Sequence, residues 1–183
     1  MIKSRVMLLS LSFVAATMLV ACSNEGADEM RENSATPAEA SSAALTDIET
    51  SETFLVSLTG AAERPDPVAT TASADATIIV YTDSIIYVVS GLSVKGVTAA
   101  HIHRGGAEEA GPVLATLYTS DAGADFDKGL IANGTITRET TLSDGVTFDQ
   151  LRELVRTGAA YLNVHTTVHP KGELRSQTVP DPL

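Results

Sequence analysis

A single cysteine, Cys22, stands in a chain of 183 residues, so no internal disulfide can form and no thiol is placed as a nucleophile within a globular region. Basic residues are scarce as well. Twelve Lys and Arg face 23 Asp and Glu, and the formal charge of −11 argues against a nucleic-acid partner, which needs clustered cations. Acidity of this kind usually means a solvated surface. The chain has no Gly-x-Ser-x-Gly and no phosphate-cradling glycine loop. Asp121, Asp125 and Asp127 lie close together but without the glycine and terminal glutamate of a calcium loop, so a solvated turn is expected there. Glu108 and Glu109 read as exposed loop, not as half of an acid–base pair. No apolar run is a comfortable membrane span: the longest, from Val6 to Val20, is too short.

That apolar run follows Lys3 and Arg5 and ends in Leu19-Val20-Ala21-Cys22. A positive region, an apolar stretch and small residues before a cleavage point make an export signal over residues 1–21. The ending resembles the lipobox of bacterial lipoproteins, which implies that Cys22 becomes the lipidated first residue of the mature chain. Removing Lys3 and Arg5, with no acid, moves the formal charge to −13, two below the −11 of the full chain. Residues 22–53 are rich in Ser, Ala, Glu and Thr, with few groups able to form a core, and read as a disordered acidic linker. About 30 such residues span roughly 30 Å, enough to hold a domain clear of headgroups. The class of proteins with Ser23 after the lipidated cysteine implies sorting to the outer membrane, on its periplasmic or surface face. The expected partner is therefore the membrane, through Cys22, with a protein or cell-envelope partner open.

Residues 54–183 read as one mainly β domain. Phe54–Thr59, Ala74–Tyr81, Ile85–Leu92, Val97–His103, Val113–Tyr118, Leu130–Thr137, Ala160–Thr166 and Glu173–Thr178 are strand-like, about eight runs separated by turn residues. Short strands at this spacing predict an antiparallel sandwich or barrel. One segment differs: Phe148, Leu151, Leu154 and Val155 recur at helical spacing, with Thr147 and Gln150 placed as a capping box and Gly158 as a stop. A short helix is expected, its apolar stripe covering an end or edge of the sheet.

The four histidines are His101, His103, His165 and His169, and the first three sit inside strand-like runs. Alternation along a strand places His101 and His103 on one face, roughly 6.5 to 7 Å apart. With His165 from a second strand, and His169 from the loop beyond, they offer a nitrogen-rich set suited to copper or zinc. If the pair faces the core it must be satisfied there, and if it faces outward it is simply solvated. The same residues also suit a buried hydrogen-bonded network, with Glu173 or a backbone carbonyl as acceptor, or an anion site with Arg104 and Arg175. The deciding quantity is the distance between the imidazoles, about 4 Å or less for ligation. His169, which precedes Pro170, is the weakest of the four.

Several motifs occur in a fixed order: Gly60-Ala61-Ala62-Glu63, Ala99-Ala100-His101-Ile102-His103, Gly111-Pro112-Val113, Gly158 to Tyr161, Asn163-Val164-His165-Thr166, and Pro170-x-Gly172-Glu173-Leu174-Arg175-x-Gln177. Together they resemble the CHRD domain, named for chordin and found in many exported bacterial proteins. Two departures are Pro65-Asp66-Pro67, where the family usually pairs its prolines, and Ser176, where it usually has glycine. The resemblance implies an immunoglobulin-like β-sandwich and leaves the biochemical activity open. Chordin's role as a growth-factor antagonist does not carry over to a bacterial lipoprotein. His-x-His with a later histidine also looks like the copper site of superoxide dismutases. Those enzymes normally have disulfide cysteines and a zinc site that this chain cannot supply, and an acidic domain does not by itself attract superoxide. The expectation is a lipid-anchored extracytoplasmic domain that binds a metal, with a protein-interaction or structural module as the alternative and dismutation behind both.

Overall fold

The computed structural model describes residues 50–179. The export signal, Cys22 and nearly all of the linker lie outside the described residues. Six strands and one α-helix follow in order: β1 Glu52–Leu58, β2 Ser73–Val80, β3 Ser84–Arg104, β4 Val113–Thr137, α1 Phe148–Arg156, β5 Ala160–Thr166 and β6 Leu174–Gln177. Alternation decides which way each strand faces. Phe54, Val56 and Leu58 of β1 and Ala74, Ala76, Ile78 and Val80 of β2 point inward and are buried, while Leu55 between them is exposed.

All strand pairs are antiparallel, in the order β1-β2-β3-β5-β6, with β4 along the other side of β3. The path closes on itself. Thr59, just past β1, exchanges two backbone hydrogen bonds with Arg175 of β6, at 3.0 and 3.1 Å. The sheet is thus a nearly closed barrel, the second of the two architectures expected.

Six strands replace the eight expected because four of the runs fuse in pairs. Ile85–Leu92 and Val97–His103 are one strand, β3, and Val113–Tyr118 and Leu130–Thr137 are one strand, β4. The residues between them look like turns because they include Ser93 and Gly96, both at positive φ. Here they instead form irregularities within a continuous ladder to β4. A Cβ on Gly123 of β4 would come within 3.1 Å of the Gly96 backbone, so the two chains approach too closely for larger residues.

The break in β3 changes its phase. Ile85, Tyr87 and Val89 face the core at odd positions, whereas Ala100 and Ile102 face it at even ones. His101 and His103 are consequently turned to the outer face. α1 forms as its pattern predicts: Thr147 and Gln150 complete the capping box, and Phe148, Leu151 and Val155 are buried. Arg156 pairs with Glu52 at 2.6 Å and Arg152 donates to the Thr82 carbonyl at 2.6 Å, so the helix lies over the end of the barrel where β1 begins.

Candidate metal centre

β3 and β5 pair with His101 opposite Asn163, His103 opposite Tyr161 and Ala99 opposite His165. One face of this ribbon is apolar, with Ala100, Ile102, Ala160, Leu162 and Val164 in the core. The other presents His101, His103, Tyr161, Asn163 and His165. It is not solvated, because every residue of β5 is buried. His103 is 8% and His165 9% exposed, and His101 is half-buried. Neither orientation foreseen for the pair applies: the histidines face away from the apolar core, yet loops cover them. This face is a second, polar core, and its groups need partners.

The loops supply them. His103 Nδ1 lies 3.0 Å from the carbonyl oxygen of Gly111, in the β3–β4 loop, and His165 Nδ1 lies 3.1 Å from that of Pro170, in the β5–β6 loop. A carbonyl only accepts, so both Nδ1 atoms carry the proton. In a neutral imidazole Nε2 then bears a bare lone pair. The two Nε2 atoms face each other at 3.3 Å. The third ring, His101, has its centroid 4.9 Å from that of His165 and 5.4 Å from that of His103. One nitrogen from each of the three lies within 4.8 Å of the others. The pair meets the 4 Å expected for ligation, and the whole trio is slightly wider.

The field around the rings keeps them neutral. Burial comes first in lowering the proton affinity of all three, and His101 is brought down to about 4, with His165 and His103 adding to the effect. The carbonyls of Gly111 and Pro170 partly offset the shift at His103 and His165. Arg175 lowers His103 further. Two bare lone pairs at hydrogen-bond distance repel each other unless a proton or a cation lies between them. A shared proton would make one ring an imidazolium, which this environment disfavours.

Around the rings, Tyr161 stacks on His103 with centroids 5.0 Å apart and planes 12° from parallel, and Arg175 lies over the Tyr161 ring, its Cζ 3.6 Å from the centroid. Gly111 N–H donates to the Tyr161 hydroxyl at 3.0 Å, fixing the same loop that holds His103. Arg175 is 2% exposed and donates to the Gly106 carbonyl at 2.7 Å. Asn163 donates to both oxygens of Glu63 at 2.9 and 3.1 Å, and burial raises the proton affinity of that carboxyl. Glu173 accepts from Thr70 at 2.8 Å and Thr166 at 2.7 Å.

The other candidates lie apart from the trio. Arg104 neighbours His103 but alternates to the opposite side of the strand, where it pairs with Asp144 at 3.1 Å. His169 lines a separate cleft of about 320 Å³ with Glu63, Arg64, Val168 and Lys171. Its backbone carbonyl, not its ring, holds the β5–β6 loop, by accepting from Thr166 and Gly172. Tyr161 and Asn163 have their places in the motifs but drew no role from spacing. Their signal is the period-two polar series Tyr161, Asn163, His165 set against Ala160, Leu162, Val164. The carbonyls of Gly111 and Pro170 carry no side-chain signal at all.

The family model for the CHRD domain matches residues 54–178. The chain belongs to the CHRD domain family. No curated protein and no solved structure matches it. The family's match runs from β1 to the residue after β6, so the barrel and the histidine face are both parts of the CHRD domain, a domain of binding type.

Proposed function

We propose that this CHRD domain binds one transition-metal ion, copper or zinc, through His101, His103 and His165. The observation that carries the reading is the pair of bare Nε2 atoms at 3.3 Å. Two nitrogens bound tetrahedrally at about 2.0 to 2.1 Å stand about 3.3 to 3.4 Å apart, so an ion fits between these two rings with little movement. The carbonyls on the far side of each ring fix its tautomer and aim, as in many metal-bound histidines. An all-imidazole set suits copper or zinc and not calcium or magnesium. The ligands come from two strands and their supporting carbonyls from two loops, so a bound ion would tie four segments together.

The test is metal analysis of the chain purified without an affinity tag, beside His101→Ala and His165→Ala. One ion per chain is expected, with at least a tenfold loss of retained metal in each variant. Equal metal in all three proteins would sink the shared site. Unfolding of the metal-free variants, with no metal in the parent, would favour the alternative of an interaction or structural module pinned by a histidine network.

In the same reading the domain is carried on a lipidated Cys22 at the cell envelope, on the outer membrane. Cys22→Ala should move the protein from the membrane to the soluble fraction of its host, and an unchanged distribution would count against the anchor. Dismutation of superoxide is the reading with least support, and it fails if the copper-loaded protein is no faster than free copper.

A further inference from the structure

We propose that the ion held by His101, His103 and His165 takes a small anion from solution as its fourth ligand. This rests on the metal-binding reading. Among the described residues, the group whose ligand atoms converge contains three histidines and no carboxylate. The two buried carboxylates of this face are engaged elsewhere: Glu63 accepts from Asn163, and Glu173 from Thr70 and Thr166. A divalent ion on three neutral imidazoles keeps its full double charge. Burying that charge is costly unless an anion accompanies it.

Arg175 adds to the imbalance. Its guanidinium, 2% exposed, lies on the Tyr161 ring that stacks on His103. A positive potential beside the ion favours an anionic fourth ligand over a neutral one. Access follows from the unequal cover of the three rings. His103 and His165 are less than a tenth exposed, and His101 is half-buried with its Nδ1 buried and without a hydrogen-bond partner, so the cover over the cluster is thinnest at His101. Three protein ligands with one reachable position distinguish an exchangeable site from a closed, four-ligand structural one. The anion must be small, since loops cover the rest of the face; azide, a halide or hydroxide has the required size and charge.

The experiment uses the purified chain loaded with one equivalent of copper(II) and then titrated with azide. Metal analysis before azide is added tests the metal site separately, and a chain that retains no copper overturns both readings. With copper retained, an azide-to-copper charge-transfer band should appear and saturate at one azide per copper, with the copper still bound after ultrafiltration. His165→Ala should show no such band, and His169→Ala should keep it. Copper that stays bound with an unchanged spectrum would overturn the anion site while leaving the metal site intact. Azide that strips copper into the filtrate would overturn it too, as would loss of the band in His169→Ala.

Discussion

The two halves of β3 present opposite outer faces. Near its start, Val88 and Leu92 point outward and are 39% and 50% exposed, apolar side chains in water. Near its end, His101 and His103 point outward beneath loops, His103 buried and His101 half-buried. Stability alone would arrange these the other way round. Scattered exposed apolar residues are ordinary on a protein surface, but a buried set of imidazoles, a guanidinium and two carboxylates is not. The covered half is therefore where buried polar groups take the place of easy apolar packing.

The inner face of the covered half supplies the strongest way to break the comparison. Ile102 is fully buried between the two histidines in sequence, and Ile102→Ala should cost about 2 to 5 kcal/mol by urea unfolding, in metal-free and metal-bound protein alike. The outer face should respond to metal where the inner face does not. At a free-metal concentration a hundredfold above Kd, the parent should gain about 2.7 kcal/mol and His165→Ala should gain nothing. A parent without that gain would return the covered half to a structural role.

Acid sharpens the same contrast. His101 is held at about 4 against an ordinary 6.5, so the unfolded chain takes up its proton first. The histidine face thus contributes its full stability above pH 6.5, and the metal-free protein should weaken as the pH falls from there toward 4. Bound metal should delay that loss to lower pH, because protons must first displace the ion. A flat stability across this window in the metal-free protein would contradict the neutral rings.

A smaller effect separates the stack from the hydrogen bond. Tyr161→Phe keeps the ring between His103 and Arg175 and loses only the hydroxyl that accepts from Gly111, so it should cost about 1 kcal/mol and weaken metal binding only slightly. On the exposed half, Val88→Ser should change stability by less than about 0.5 kcal/mol.

Much of this was legible in the sequence. The alternation of Phe54, Val56 and Leu58, the Thr147–Gln150 cap and the His-x-His spacing each lead from local chemistry to the element observed. The number of strands was not legible, because Ser93 and Gly96 mark turns in isolation and become bulges only when a partner strand runs past them. The cover over the histidines was not legible either. It depends on backbone carbonyls at Gly111 and Pro170, which any residue could supply, in loops that fold back over the outer face of the sheet. Arg104 and His169 stand near the clustered histidines in sequence and lie outside the cluster, the first by strand alternation and the second by the turn that follows β5.

The Thr59–Arg175 closure also sets a direction. Thr59 stands level with Arg175, Asn163 and His101 across the sheet, and seven residues of extended chain, about 23 Å, separate it from Glu52, where β1 begins. β1 therefore enters the barrel at the end covered by α1, away from the level of the histidines.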